Sequence, residues 1–305
     1  MRTGWPRSIG VLGAGALGTL FAHGLASRTL AAGTRVMLLA RSPGPDSITI
    51  EGRTPVAVER VTNPQEPVDL LIVLVKAYAT AGAMRWAAGA VGPQTIVLTL
   101  QNGLGNAEVL AAAVGPERVL VGTTAQGATL LEPGLVRNGG HGPTLIAPWL
   151  SQGPAAELAP HVSRLLSRAG FPSGVTPDAG VLLWSKLVVN AAINPLTALY
   201  GIPNGMLLER QELRRLMEAA AREAGGVAAA LGIGLKEDPA ERAVAVARAT
   251  AVNRSSMLQD LERGRRTEIE AINGALVERA LAIGLSVPVN ETLTLLVREA
   301  ERRRA

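Results

Sequence analysis

The amino-acid sequence predicts a doubly wound α/β domain over residues 1–177 and an all-α domain over residues 178–305. In the first part, short β-branched runs alternate with helical stretches, the pattern of a mostly parallel sheet covered by helices. Two of these runs, 69–75 and 95–100, are apolar throughout, as buried parallel strands are. After Pro177 strand patterns almost vanish and Ala, Leu, Glu and Arg dominate, so the remainder is expected to be helical.

The first domain is expected to begin with a strand, a helix and a second strand, at residues 8–12, 16–31 and 35–40. Residues 47–50 and 56–61 flank Glu51-Gly52-Arg53 and predict a hairpin insertion. Three further strands, separated by glycine-rich turns, are expected to close the sheet in antiparallel fashion, at 119–124, 135–137 and 144–146.

The second domain is expected to contain five helices, at residues 178–200, 205–231, 239–263, 267–283 and 290–303. Asp238-Pro239 and Asn290 are typical of helix starts, where a capping side chain or a first-turn proline is favoured. Pro195 lies inside the first of these helices. Because proline has no backbone N–H, it should disturb that helix near Ala191.

Composition narrows the classes of function. The chain has no cysteine, which excludes disulfides, thiolate metal sites and cysteine nucleophiles and fits a cytoplasmic protein. Its net charge is +5, yet only 3% of its residues are aromatic, too few for a surface that stacks nucleic-acid bases. Small anionic ligands suit this charge. No membrane partner is expected, because no uninterrupted apolar run reaches the roughly 18 residues of a span, and glycines interrupt the apolar stretch at 9–26 that would otherwise resemble a secretory signal.

The strongest motif is a glycine sequence that leaves the first strand and opens the first helix. Gly13, Gly15 and Gly18 form G-x-G-x-x-G, the dinucleotide-binding pattern of the Rossmann fold, in the context that it requires. Gly13 suits a tight turn, Gly15 lets the backbone approach a pyrophosphate, and Gly18 lets helix and strand pack closely. The N–H groups and positive potential of the helix N-terminus then favour phosphate binding. A glycine-rich turn without a ligand is the alternative.

The end of the second strand bears on the choice between NAD and NADP. An acidic residue there would bind the ribose 2′-hydroxyl and repel a 2′-phosphate. This strand instead ends Leu38-Leu39-Ala40-Arg41-Ser42, and the Arg41 guanidinium can form paired hydrogen bonds with a 2′-phosphate. The sequence therefore favours NADP(H), with a merely solvated arginine as the alternative.

Lysine is scarce in this chain, which has Lys76, Lys186 and Lys236 beside 27 arginines. Where a surface only needs charge, arginine is used. A lysine amine, unlike a guanidinium, can lower its pKa and release a proton. Lys76 at a strand end and Lys186 in an apolar helix are therefore candidate functional groups, whereas Lys236 lies in a polar loop.

The helix that carries Lys186 also carries two asparagines on the same face. Lys186, Asn190 and Asn194 are four residues apart in an otherwise apolar segment, so they stack along one side of the helix. One cation and two amides so aligned predict a binding strip. A hydrogen-bonded network between helices is the alternative.

Glu268 opens a later helix, and on pattern alone it could be a first-turn acid that the helix dipole favours. The histidines, His23, His141 and His161, do not have metal-ligand spacing, so no metal site is expected.

Taken together, these segments resemble the ketopantoate reductase family over nearly the whole chain. The matching motifs are GAGALG at 13–18, LVKA at 74–77, QNGLGN at 101–106, SKLVVNAAINPLTAL at 185–199 and SSMLQDLERGRRTEIEAINGAL at 255–276. The last two are long and specific to the family, and they contain polar residues already singled out above.

The resemblance implies reduction of 2-dehydropantoate to (R)-pantoate by NADPH, a step toward pantothenate, with Lys186 as the general acid. It implies substrate contacts at Asn190, Asn194, Asn204 and Ser256, with Asn102 between cofactor and substrate. It implies cofactor contacts at Gly13, Ala14, Gly15, Ala16, Leu17, Gly18, Arg41, Lys76, Asn102, Ala128 and Glu268.

Two other functions stay open at this point. The motifs determine the chemistry better than the side-chain pocket, so a relative that reduces another branched 2-keto acid is one alternative. A nucleotide-binding sensor without turnover is the other, although loss of Lys186 or of the asparagines would have been expected for it. A homodimer is one possible assembly.

Overall fold

The computed structural model describes residues 5–29 and 33–303, which fold into two compact units. Of these residues, the α/β unit comprises 5–29, 33–101 and Asn106–Leu182, and the helical unit comprises Asn102–Gly105 and 183–303. The domain boundary expected after residue 177 therefore differs from the one observed, which falls inside a continuous helix. The segment Asn102–Gly105 belongs to the helical unit although its sequence neighbours do not.

The described residues form twelve strands: β1 Ser8–Leu12, β2 Arg35–Leu39, β3 Ser47–Ile50, β4 Val56–Ala57, β5 Glu59–Val61, β6 Leu70–Val73, β7 Ile96–Thr99, β8 Val119–Thr124, β9 Gly127–Glu132, β10 Leu135–Gly140, β11 Thr144–Pro148 and β12 Ser173–Val175. Within the same residues the α-helices are α1 Ala16–Thr29, α2 Thr80–Trp86, α3 Asn106–Val114, α4 Pro154–Arg168, α5 Ala179–Tyr200, α6 Met206–Glu209, α7 Gln211–Ala230, α8 Pro239–Ala249, α9 Ser256–Glu262, α10 Ala275–Ala282 and α11 Pro288–Arg302.

The main sheet of the α/β unit has the strand order β12-β11-β8-β7-β6-β1-β2-β5. All neighbouring strands are parallel except β8 and β11. The chain moves from β1 to β2 on one side and later to β6 on the other, so the direction of winding reverses at β1. This confirms the predicted doubly wound α/β fold. Sheets of this kind bind ligands at the carboxyl end of the strand where the winding reverses, which is β1 here.

A second sheet, of order β4-β3-β10-β9, covers α1. The sequence assigned residues 135–137 to the main sheet, which is wrong, since β10 pairs with β3 and β9. The hairpin of β3 and β4 is confirmed, but residues 59–61 leave it and pair with β2. The second sheet provides cover for α1, whose residues are buried without interruption from Gly18 to Ala26. A helix that is buried all round needs cover on both sides.

Three of the predicted helices differ from the ones observed. Arg210 divides the helix expected at 205–231 into α6 and α7. Residues 250–255 separate α8 from α9, because the backbone N–H groups of Asn204 and Gly205 bind the carbonyls of Asn253 and Ala251, at 3.0 and 2.9 Å. Before α10, residues Glu270–Gly274 form a π-helical turn, called the π turn below. Asp238 caps α8 as expected, accepting a hydrogen bond from the Glu241 N–H at 2.9 Å. The last two residues of the helix predicted at 16–31 lie outside the described residues.

Helix α5 is the core helix of the helical unit and continues through Pro195 to Tyr200. By length and mean hydropathy it is apolar enough to cross a membrane, although polar residues interrupt it. Of its most apolar window, 67% is buried inside the folded chain, as in the core helix of a globular protein. The carbonyl of Ala191, which Pro195 leaves without a helical partner, accepts a hydrogen bond of 2.9 Å from the Asn273 side chain.

Candidate active site

The turn after β1 is shaped for glycine at two positions. Gly13 has φ +115°, a conformation that side chains other than glycine rarely adopt, and a Cβ there would lie 3.0 Å from the Val75 nitrogen. A Cβ on Gly18 would lie 1.8 Å from the Gly13 carbonyl oxygen. Both positions therefore serve close packing between β1, α1 and the chain after β6.

Gly15 is different, because a Cβ there would meet no atom within 4 Å. It is exposed and precedes α1 directly. The first N–H groups of a helix have no acceptor inside it, so Ala16, Leu17 and Gly18 present donors to the open space in front of Gly15. The turn is a backbone cradle with positive potential, and it fits a dinucleotide pyrophosphate.

Two arginines approach one another near Gly82: Arg41, which follows β2, and Arg85 of α2. A Cβ on Gly82 in α2 would lie 3.3 Å from a terminal nitrogen of Arg41 and 3.9 Å from one of Arg85. Neither guanidinium forms an ion pair with any carboxylate among the described residues. Two uncompensated cations side by side favour a multiply charged anion. No sequence pattern pointed to Arg85, because its nearness to Arg41 is visible only where both guanidinium groups approach Gly82 of α2.

Lys76 and Ala128 occupy different parts of the α/β unit. Lys76 is half-buried and follows β6, the strand beside β1, so it lies at the same carboxyl edge of the sheet as the glycine turn. Ala128 is half-buried in β9 of the second sheet, opposite Asn138 of β10.

In the helical unit, α5 presents the polar strip, defined as Lys186, Asn190 and Asn194. Lys186 and Asn190 are half-buried, and Asn194 is 7% exposed. Neither asparagine amide hydrogen-bonds to another described residue of the chain. Paired amides would have indicated a structural network, so their unpaired state favours ligand binding.

Two opposing influences act on the pKa of the Lys186 ammonium. Desolvation by the surrounding protein lowers its pKa to about 8, against the opposing attraction of the Glu268 carboxylate, which raises it. Glu268 is itself only 7% exposed and accepts a hydrogen bond of 3.2 Å from the Asn102 side chain. Asn102, Lys186 and Glu268 all belong to the helical unit. Sequence spacing could not predict that these three residues come together, because Asn102 is far from Lys186 and Glu268 along the chain.

Asn204 and Ser256 lie near the loop between α8 and α9. Asn204 is buried and donates from Nδ2 to the Thr250 hydroxyl at 2.8 Å, while its Oδ1 has no partner among the described residues. Ser256 is exposed at the start of α9. The capping is done by Ser255, which accepts from the Leu258 N–H at 3.1 Å and was missed by the sequence analysis. The Ser256 hydroxyl is thus not needed for the cap.

The histidines are separate from these groups. His23 is buried in α1 and lies 3.1 Å from the Thr54 carbonyl through Nε2, and burial lowers its pKa. Within residues 5–29 and 33–303, no three His, Asp or Glu side chains gather as metal ligands would.

Comparison with known proteins decides the family. Residues 9–151 match the family model described as ketopantoate reductase PanE/ApbA, and residues 181–301 match the model for the C-terminal part of the same family. The chain belongs to the ketopantoate reductase family. As a member, it is an oxidoreductase of an NAD(P)-dependent family, and the glycine cradle of its α/β unit fits that cofactor class.

Relatives agree along most of the chain. A protein from Halobacterium salinarum named 2-dehydropantoate 2-reductase is 46% identical over 234 residues, 77% of this chain and 76% of that protein. One of the same name from Archaeoglobus fulgidus is 37% identical and covers 95% of this chain and 97% of its own. The crystal structure of a ketopantoate reductase from Ralstonia eutropha matches with a TM-score of 0.86 at 30% identity, covering 97% of this chain and 99% of that one.

A further solved structure shares this fold. D-mandelate dehydrogenase, solved with NADH and anilino(oxo)acetate, matches with a TM-score of 0.88 at 24% identity over 97% of this chain and 99% of its own. At that identity the likeness concerns the fold alone.

The two kinds of glycine in this ketopantoate reductase turn predict opposite effects of alanine. Gly18→Ala should lower the free energy of unfolding by about 1–3 kcal/mol, because its Cβ meets the Gly13 carbonyl. Gly15→Ala should leave that free energy nearly unchanged and weaken cofactor binding, since its Cβ enters the space of the pyrophosphate. Urea denaturation and fluorescence titration with NADPH measure the two effects. Unimpaired NADPH binding by the Gly15→Ala variant would refute the cradle.

Proposed function

We propose that this protein reduces 2-dehydropantoate to (R)-pantoate with NADPH, a cytoplasmic step toward pantothenate, with Lys186 as the general acid. One observation carries the assignment beyond family membership. The pKa of Lys186 is lowered to about 8, and the Glu268 carboxylate acts on its ammonium. On the same face of α5, the unpaired side-chain amides of Asn190 and Asn194 follow Lys186. A proton donor aligned with neutral hydrogen-bond donors suits a 2-keto acid.

The protein's role in the reaction is to stabilise the negative charge that develops on the substrate and to supply a proton. The glycine turn would hold NADPH, which would supply the hydride for the keto carbon. As negative charge grows on the keto oxygen, the Lys186 ammonium stabilises it and delivers the proton that completes the hydroxyl. Glu268 keeps Lys186 protonated by its attraction, which opposes desolvation.

The amides orient the substrate. Asn190 and Asn194 donate hydrogen bonds without adding a charge that would have to be desolvated, which suits the carboxylate and the terminal hydroxyl of 2-dehydropantoate. Asn204 and the Ser256 hydroxyl add further polar contacts, and Asn102 contributes an amide close to Glu268.

We assign NADPH rather than NADH as the cofactor. Arg41 and Arg85 together supply two positive charges for a 2′-phosphate, and no acid follows β2 to bind a free 2′-hydroxyl. In this proposal Lys76 and Glu268 complete the cofactor contacts from the side chains, and Ala14 and Ala128 do so from the backbone.

Reduction of another 2-keto acid is the second candidate. It is favoured because the family motifs determine the chemistry at the keto acid better than the pocket that holds its branched tail. A sensor without turnover is less favoured, since Lys186 and the polar strip are intact. We further propose a homodimer, for which Leu281, Leu295 and Leu296 offer exposed apolar surface on α10 and α11.

The cofactor assignment predicts a selective effect at Arg41. Arg41→Ala should raise the KM for NADPH about tenfold or more, by loss of charge-assisted hydrogen bonds, and leave the KM for NADH nearly unchanged. Arg168→Ala, which removes an exposed arginine at the end of α4, is the matched control. Initial rates of cofactor oxidation measure both. Equal losses for NADPH and NADH would show that Arg41 does not bind the 2′-phosphate.

The substrate assignment predicts discrimination by the terminal hydroxyl. 2-Dehydropantoate should exceed 2-ketoisovalerate in kcat/KM by about 10²-fold or more, because a site that pairs a hydroxyl rejects ligands lacking it. Rates of NADPH oxidation across a panel of 2-keto acids, pyruvate included, provide the measurement. Comparable turnover of 2-ketoisovalerate would favour the second candidate.

The lowered pKa of Lys186 predicts the direction of the pH dependence. Reduction needs the protonated amine, which is present below the pKa and lost above it. The rate of 2-dehydropantoate reduction at low substrate should therefore be highest below pH 8 and fall as pH rises through about 8. Steady-state kcat/KM profiles measure this. A rate that stays constant to pH 10 would contradict the role of Lys186.

Replacing Lys186 separates proton transfer from charge. Lys186→Ala should lower kcat by about 10²–10⁴-fold, the usual range for a lost general acid, while NADPH affinity stays near that of the unaltered enzyme. Lys186→Arg keeps the charge but should barely restore the rate, because a guanidinium does not release a proton at working pH. A Lys186→Arg variant with near-normal kcat would leave Lys186 as an electrostatic anchor only.

A further inference from the structure

Asn273 joins the π turn to α5 by a hydrogen bond to a carbonyl that Pro195 leaves without a helical partner. Its Nδ2 donates to the Ala191 carbonyl, at 2.9 Å, and Asn273 is completely buried. Proline at 195 removes the N–H that would otherwise satisfy this carbonyl. A buried carbonyl without a partner costs about 1–3 kcal/mol, so the proline and the asparagine are structurally interdependent.

A second asparagine holds Asn273 in this orientation. The Asn273 Nδ2 also donates to Asn290 Oδ1 at 3.0 Å, and Asn290 is completely buried as well. The Asn290 side chain donates to the Ala220 carbonyl at 3.0 Å and to the Glu223 carboxylate at 2.8 Å. The π turn, α11 and α7 are thus joined by one polar network that ends on the backbone of α5.

The position of the π turn determines where Glu268 lies. The Ala271 and Ile272 N–H groups both donate to the Glu268 carbonyl at 3.1 Å. Only one helical turn of hydrogen-bonded backbone therefore separates Asn273 from Glu268. Single π-helical turns inside helices often occur at functional sites, and here the carboxylate that acts on Lys186 belongs to Glu268, two residues before the turn begins.

The π turn also anchors Asn102. The Leu104 N–H donates to the Ala271 carbonyl at 2.8 Å. A Cβ on Gly103 would lie 2.3 Å from the same carbonyl oxygen, so this approach requires glycine. Asn102 then reaches Glu268 at 3.2 Å. Lys186, Glu268 and Asn102 come from three separate chain segments, and the π turn contacts each segment.

We propose that Asn273 is the positioning residue of the active site, which holds Glu268 and Asn102 beside Lys186 by fixing the π turn to α5 at the Ala191 carbonyl. This inference rests on the proposed function for its catalytic consequence. Asn273 is completely buried and acts only through the groups that it places.

The test separates two roles of Asn273: positioning the π turn, and donating a hydrogen bond to the Ala191 carbonyl. Asn273→Ala removes both roles. Pro195→Ala combined with Asn273→Ala restores a helical N–H donor to the Ala191 carbonyl but does not restore the positioning. The double variant also keeps the test valid if Asn273→Ala alone folds poorly. Thr95→Val, which removes a buried hydrogen bond of 2.6 Å to the Val68 carbonyl in the α/β unit, is the matched control for lost stability.

Two readouts are compared with the urea stability of each variant. One is kcat with 2-dehydropantoate across pH. The other is the pH dependence of Lys186 acetylation by acetic anhydride, followed by mass spectrometry, which is simplified because the chain has only three lysines. The second readout needs no cofactor or substrate. Glu268 is the charged group that acts on Lys186, so Glu268→Gln defines the shift that loss of its charge produces.

We expect Asn273→Ala to lower the acetylation midpoint of Lys186 in the direction of Glu268→Gln, by about 0.5–1 pH unit, and to lower kcat about tenfold or more. Adding Asn273→Ala to Glu268→Gln should shift the midpoint no further. The Pro195→Ala, Asn273→Ala variant should regain stability but keep the altered midpoint and low kcat, and Thr95→Val should lose stability alone.

Two outcomes would overturn the inference. One is an Asn273→Ala midpoint that equals that of the unaltered protein. The other is recovery of kcat together with stability in the Pro195→Ala, Asn273→Ala variant, which would make Asn273 a structural partner of the carbonyl only. If the unaltered protein does not reduce 2-dehydropantoate, the proposed function fails, while the acetylation comparison still decides whether Asn273 positions Glu268.

Discussion

A buried carbonyl on α5 is the constraint around which the helical unit is arranged. Pro195 leaves the Ala191 carbonyl without its helical partner, and Asn273 supplies the missing hydrogen bond from the π turn. Because the groups involved are shielded from water, a lost bond could not be replaced by solvent. The network continues through Asn290 to α7 and α11. The irregularity that Pro195 causes in α5 therefore connects the π turn, α7 and α11 to the helix that carries Lys186.

The chemistry of Lys186 depends on a balance between two opposing effects. Desolvation lowers the pKa of its ammonium, and the Glu268 carboxylate raises it, with a result of about 8. For the general-acid role that we propose, either effect alone would serve reduction poorly, since a strongly basic amine holds its proton and a strongly desolvated one does not carry it. Small displacements of Glu268 therefore change the pKa of Lys186, which is why the anchoring of Glu268 matters. Helix propensity and hydrophobic pattern do not specify such a balance.

Much of this protein could be predicted from the sequence because the signals are local. The glycine turn, the parallel strands and the strip at Lys186, Asn190 and Asn194 all follow from periodicity over a few residues. The fold class and the family followed from the same segments. Long-range pairing could not be predicted this way, so residues 135–137 were assigned to the wrong sheet. The need to cover both sides of α1 decided that pairing.

The sequence by itself determined the type of each functional group, and the tertiary structure decided which groups act on one another. Glu268 looked like an ordinary first-turn acid, and only folding places it against Asn102 and within range of Lys186. Asn273 and Arg85 gave no pattern of their own, since their roles depend on a carbonyl in α5 and on Gly82 in α2. Electrostatic and hydrogen-bond partners are chosen by distance in space, and spacing along the chain reveals that distance only within a single helix or strand.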